Sequence, residues 1–182
     1  NLVKVNVKIF LQGCFAGSQM TTTLNSSNKI PTDSDNAYNS TLFNYNKKIV
    51  DIIPNANIVD WILIELRTGT LGSSKIAAQV GFLVKDGFIV DKNGTSNLEF
   101  QGVSPGNYYL VIKHRNHLAM MTASPLPLSS VANLIDLTNS QTIVYGNNAL
   151  IPLFGSIYGM KAGDTNKSGI ISFADVIPII QN

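Results

Sequence analysis

Apolar and polar residues alternate strictly from Val3 to Ile9, with Val3, Val5, Val7 and Ile9 on one side and Lys4, Asn6 and Lys8 on the other. A period of two predicts a strand with one face in a core and one in solvent. A second strand is predicted over 59–66, VDWILIEL, where β-branched and aromatic residues crowd together. Residues 75–84 and 88–91 flank Asp86-Gly87, the two-residue signal of a tight hairpin. Further strands are predicted over 98–100 and 107–114, the latter entered through Ser104-Pro105-Gly106. Turn signals recur roughly every ten residues, the rhythm of a β-sandwich rather than of alternating strands and helices. No amphipathic helix of any length is legible. Residues 12–48, rich in Asn, Ser and Thr, and residues 122–160, with Pro, Ser and Gly, read as loops. A connection as long as the first is ordinarily functional or held by a partner. The chain divides into a β-sandwich over 1–158 and an appendage over 159–182 that docks on it.

Composition narrows the function. Only 13% of the residues are charged while 45% are hydrophobic, where about 25% charged is ordinary. The polar surface therefore rests on Asn, Ser and Thr, which suits a secreted protein and a surface covered by neighbours. The net charge is +2 and Lys47-Lys48 is the one adjacent basic pair, so no nucleic-acid partner is expected. No apolar run approaches the ~18 residues of a membrane span. The single cysteine, Cys14, forms no internal disulfide and reads as a small buried hydrophobe. A chain opening at Asn1 fits an extracellular product whose signal peptide has been removed.

The densest chemistry lies near the tail, in DTNKSGIISFAD, residues 164–175. Counted from Asp164, side-chain oxygens fall at positions one, three and five (Asp164, Asn166, Ser168). Gly169 then permits a sharp bend, Ile170 offers its carbonyl, Ser172 stands at the ninth position and Asp175 closes the run. Calcium takes about six to eight oxygens, and this spacing is that of a calcium loop. The expected metal ligands are therefore Asp164, Asn166, Ser168, Ile170, Ser172 and Asp175. Ile171 is expected to anchor the loop to the core. Ser172 and Asp175 also form a capping-box-like pair, predicting a short helix that Pro178 stops. Two carboxylates give modest affinity, suited to millimolar extracellular calcium.

GDTNKSGIISFAD resembles the calcium loop of dockerin modules, which also carry Asp at the closing position. VKIFLQG, VDWILIELR, GVSPGNYYLVIKHRNHLAMMTA and YGMKAGDTN are similar to a module of large secreted bacterial surface proteins. There a hemagglutinin-like or adhesin-like β-sandwich precedes a dockerin-type loop. The resemblance spans most of the chain outside 20–50. It implies an all-β fold, an Ig-like or prealbumin-like antiparallel sandwich with an EF-hand-like calcium loop and short helix at its C-terminal end. It carries over no catalytic residue.

Other candidates have plainer explanations. His114 and His117, followed by Met120 and Met121, suggest a soft-metal site. Side chains three apart on a strand face opposite ways, so the two converge only if the chain bends at Arg115-Asn116. A strand end bonded to a neighbouring loop is the expectation there. Glu65 and Glu99 are the only glutamates. Glu65 is expected to point outward from its strand, and no acid pair or Ser/His/Asp set follows, so the chain is not read as an enzyme. Asp33 and Asp35 offer a second calcium cluster, with a solvated loop the better expectation. Trp61 with Tyr108 and Tyr109 offers a sugar platform, with core packing better for Trp61. The leading expectation is an extracellular structural protein, a calcium-stabilised sandwich that assembles with its own copies by strand addition. Its donor would be the N-terminal NLVKVNVKIF or the C-terminal IPIIQN. The alternative is an adhesin or carbohydrate-binding module whose loops 20–48 and 114–130 meet a glycan or cell-surface partner.

Overall fold

The computed structural model describes residues 1–176. The alternation at the N-terminus becomes strand β1 (Leu2–Lys8), which buries Val3, Val5 and Val7 and half-exposes the residues between. It is followed by β2 (Phe15–Ala16), β3 (Gln19–Met20), β4 (Ile58–Arg67), β5 (Lys75–Val84), β6 (Ile89–Val90) and β7 (Leu98–Gln101). Then come β8 (Gly106–His114), β9 (His117–Met121), β10 (Leu126–Leu128), β11 (Leu134–Asp136), β12 (Leu150–Phe154) and β13 (Ile157–Met160). One sheet has the order β11-β1-β7, the other β10-β8-β4-β5-β6 with β9 also beside β8. The inward faces of the two sheets share one core, built from Val3, Val5 and Val7, Ile62, Ile64 and Leu66, Leu98 and Phe100, and Leu110 and Ile112. The protein is thus an all-β sandwich. Among the described strand pairs all are antiparallel except β1 with β11, over Asn6–Lys8.

Two expectations change here. β1 is the middle strand of its sheet, paired to β7 on one edge and β11 on the other. The N-terminal segment expected as a free donor is therefore already consumed within the fold. The other expected donor, 177–182, lies outside the described residues, as does Pro178. The last strand also runs to Met160, which is fully buried, two residues beyond the division expected at 158.

The segment 12–48 is not a solvated loop. It forms the β2–β3 hairpin, two four-residue helices, α1 (Thr23–Ser26) and α2 (Ser40–Phe43), and a 3-10 turn at Ser34–Asn36. Its Ile30, Ala37, Tyr38 and Tyr45 lie over the outer face of the larger sheet, against Trp61, Leu63, Val80 and Phe82, and make a second apolar core. The Trp61 indole donates to the Pro31 carbonyl at 2.7 Å and its ring centroid sits 3.8 Å from that of Phe82. The Tyr38 hydroxyl lies 2.9 Å from the Lys113 carbonyl and 3.1 Å from that of Trp61. Trp61 is a core residue and offers no sugar platform.

Because this cover lies over β4, Glu65 does not reach solvent as expected; it is 2% exposed. Its carboxylate accepts from Lys113 Nζ at 2.8 Å and from Arg67 Nε at 3.0 Å. Burial pushes its carboxyl up, but the bonds and charges of Lys113 and Arg67 outweigh burial and hold it below the usual range. A carboxylate held low stabilises the fold above its unfolded-state value and loses that contribution as pH falls through the folded value. Replacing Glu65 by Gln should therefore cost about 2–3 kcal/mol near neutral pH. Urea midpoints taken from about pH 5 downward should show wild type and variant converging; a pH-independent gap would contradict the ion cluster.

Candidate metal centre

The tail loop is rooted on the β8–β9 hairpin. Leu118 N donates to the Lys161 carbonyl at 2.9 Å and Gly163 N to the Asn116 carbonyl at 3.0 Å. The Gln12 side chain accepts from Ala162 N at 3.0 Å. Beyond Gly163 the chain curls around Asp164. Lys167 and Gly169 both take left-handed backbone, φ 60° and 80°, and this turns the amides of 168 and 169 inward. Asp164 Oδ1 accepts from Ser168 N at 2.9 Å and Oδ2 from Gly169 N at 3.0 Å. Asn166 Oδ1 accepts from the same Ser168 N at 2.9 Å.

Asp175 approaches from the other side. Its Oδ1 accepts from Asn166 N at 3.2 Å and its Oδ2 from Ser172 N at 2.7 Å. The Ser172 hydroxyl in turn accepts from Ala174 N at 3.3 Å, opening a 3-10 turn at Phe173–Val176. The expected reciprocal cap thus forms, on a turn tighter than an α-helix. The amide of Ser172 first, with those of Asn166 and Thr165 behind it, holds the Asp175 carboxyl below its ordinary range.

Asp164 and Asp175 are 3% and 4% exposed. Among the described residues neither lies within ion-pair distance of a lysine, arginine or histidine. Backbone amides meet all four carboxylate oxygens and keep Asp175 ionised, so the loop holds two sheltered negative groups whose charge no cationic side chain neutralises. Each carboxylate oxygen takes one amide, and a carboxylate has about four acceptor positions, so lone pairs remain for a metal. The donors are all oxygens, the chemistry of calcium rather than zinc.

The six expected ligands do not behave alike. Asp164, Asn166 and Asp175 converge on the amides of 166–169. Ser168 Oγ donates to the Ile170 carbonyl at 3.0 Å, so those two oxygens meet each other. Ser172 is committed to its cap. Ile171 does not anchor the loop in the core; it is 44% exposed and rests over Gly163. Among the described residues no group of three or more His, Cys, Asp or Glu side chains is gathered for a metal. A calcium shell here would draw on amide and hydroxyl oxygens, backbone carbonyls and water.

Asp33 and Asp35 are used by their own turn. Asp33 accepts from Asp35 N at 2.9 Å, and Asp35 accepts from Ser40 N at 2.6 Å. Glu99 sits on the smaller sheet, paired with Lys4 at 2.9 Å, while Glu65 is on the larger, so the two form no acid pair. Cys14 is half-buried and burial pushes its thiol up to about 11, which keeps it protonated and unreactive.

The histidines are where strand parity misleads. Arg115-Asn116 is a two-residue turn, so His114 and His117 become directly paired residues of β8 and β9. Their Nδ1 atoms stand 2.8 Å apart. His114 Nε2 meets Asp60 Oδ2 at 3.1 Å, and Arg115 Nε donates to the same oxygen at 2.8 Å. His117 Nε2 meets the Gln12 carbonyl at 2.9 Å. Asp60 sits beside a register shift in β4 between Ile58 and Asp60, the kind of bulge that re-aims a side chain. Burial pushes the Asp60 carboxyl up, but the His114 bond and the charges of His114 and Arg115 outweigh it and leave it below the usual range. The sequence signal available was the polar dipeptide between two strand-like runs.

Comparison of the chain with known protein families, with curated proteins and with solved structures gives no match. Among the described residues no helix is long and apolar enough to cross a membrane.

Proposed function

We propose that this protein is a non-enzymatic structural subunit of an extracellular assembly, a β-sandwich whose tail is set by calcium. The observation that carries the reading is the pair of sheltered carboxylates, Asp164 and Asp175, without a counter-charge among the described residues. Calcium between them fixes the direction in which the chain leaves the sandwich. The apolar surface around them supports a contact role, since Ile170 and Phe173 are 67% and 85% exposed.

Subunits join by strand addition. The acceptor is the outer edge of β5 over residues 75–81. β6 covers only Phe82 and Leu83 of that edge, and among the described residues no strand pairs with the rest. A groove of about 260 Å³ runs there between Gln79 and Phe100, and Gln79 Oε1 is buried with no hydrogen-bond partner among the described residues. The donor is the tail beyond Val176. Sedimentation of the intact chain should show large particles in calcium, smaller ones in EDTA, and monomer for Ile76→Lys, since a lysine on a sheet edge blocks pairing. A single monomeric species in all three samples would overturn the reading.

A further inference from the structure

Three connections meet at one end of the sandwich: the residues that lead into β4, the β5–β6 turn and the segment that leads into β7. Between them lies a cavity of about 400 Å³, within the range of small-ligand sites. Neither the tail loop nor the expected contact loops 20–48 and 114–130 contribute a residue to it. Its apolar lining, Val84, Phe88 and Val90, is buried or half-buried, whereas Asn57, Asp86 and Thr95 beside it are exposed. The walls are held by bonds of their own. Asn55 Oδ1 accepts from Asn57 N at 2.9 Å, and Asn55 Nδ2 donates to the Gly94 carbonyl at 3.2 Å. Lys85 N donates to the Asn57 carbonyl at 2.8 Å, and Asn93 Oδ1 accepts from Thr95 N at 3.0 Å. The pocket is therefore formed before a ligand arrives, and binding has little left to order.

Its free chemistry is specific in kind. Among the described residues the side chains of Asn57, Lys85, Thr95 and Asn97 hydrogen-bond to no other protein group. Two amides and a hydroxyl both donate and accept, which matches ligand hydroxyls that do the same. One lysine, Lys85, stands with one carboxylate, Asp86, so the pocket favours neither an anion nor a cation. An uncharged ligand with an apolar face and a polar edge is a pyranose. We propose that this pocket binds a neutral hexopyranose unit of a glycan, its C–H face against Phe88 and its hydroxyls bonded by Asn57, Thr95 and Asn97. Lys8 Nζ lies over the Phe88 ring, 5.9 Å from its centroid, a cation–π contact that steadies the ring from β1. Glycoside hydrolysis ordinarily takes two carboxylates and Asp86 is the one in the lining, so the pocket holds a sugar without cutting it. The site shares no residue with the tail loop or with the groove between Gln79 and Phe100, and it depends on neither calcium nor assembly.

The test uses the intact chain in saturating calcium and three uncharged probes, methyl glucopyranoside, methyl galactopyranoside and methyl mannopyranoside, followed in nitrogen-15 spectra. At least one probe should saturably shift the side-chain amides of Asn57 and Asn97 together with the backbone amides of Gly94 and Thr95. Its midpoint should not move with salt, because a neutral ligand offers no charge to screen. Phe88→Leu keeps an apolar side chain but no ring, and should weaken that probe about fivefold or more. The wild-type shifts decide the matter even if the variant does not fold. No saturable shift with any of the three sugars, shifts confined to residues outside the pocket, or equal affinity in a folded variant would each overturn the proposal. Inorganic phosphate producing these shifts where the sugars do not would overturn it as well.

Discussion

Replacing Trp61 by alanine should lower the unfolding free energy by about 3–5 kcal/mol, the range for removing a large buried aromatic. Trp61 is fully buried on the outer face of β4, between the sheet and the 12–48 segment. Its loss opens a cavity against Phe82 and leaves the Pro31 carbonyl without the indole donor it now has at 2.7 Å. The effect should reach beyond the site, because Pro31 and Tyr38 are held to the sheet through Trp61 or its backbone. Urea unfolding measures the loss, and proteolysis of 30–45 in the folded variant reports the loosened cover. A loss below about 0.5 kcal/mol, the scale of an ordinary surface change, would show that 12–48 is not part of the core.

The second large effect is expected at Asp60. It is fully buried and accepts from Arg115 Nε at 2.8 Å and Trp61 N at 2.9 Å, with His114 on the same oxygen as Arg115. Alanine there strands a guanidinium and an imidazole whose partner is gone, and breaking a buried pair from one side costs about 3–5 kcal/mol. Asparagine restores a carbonyl acceptor but not the charge, so it should fall between wild type and alanine. Thermal unfolding of the three proteins checks the order. Equal midpoints for alanine and wild type would show that the Asp60 cluster contributes nothing to the fold.

Legibility in the sequence followed the packing. β5 was readable to the residue at Lys75–Val84, and β1, β4, β7 and β8 to within one or two at each end, because these strands pack one or both faces on the main core and so keep a period or an unbroken apolar run. The strands in 122–160 are three to five residues long, and two carry proline, Pro127 and Pro152, which argues against a central strand. They lie at the margins where pattern is weak. The cover formed by 12–48 has no period because Ile30, Tyr38 and Tyr45 reach the sheet singly from irregular backbone. The clue lay on the partner: VDWILIEL is apolar on both faces, and a strand of that kind is covered on both sides. The same cover explains the misplacement of Glu65. At the tail, spacing foresaw the turn about Asp164 and the cap between Ser172 and Asp175. It could not foresee that Ile171 would fold back over Gly163, because the loop stands off the core and offers no apolar pocket there. The histidine pair was left open, because strand parity separates His114 from His117 unless the chain bends at Arg115-Asn116, and the turn there is what brings them together.

The most direct measurement is thermal unfolding of the full chain with saturating calcium and with EDTA, for wild type and for Asp164→Ala. A ligand present at about a hundred times its dissociation constant adds about 2.7 kcal/mol, which for a domain of this size raises the midpoint by about 5–10 °C. Wild type should show that rise and the variant should not. A wild-type midpoint that is the same in calcium and in EDTA would contradict a metal at the tail.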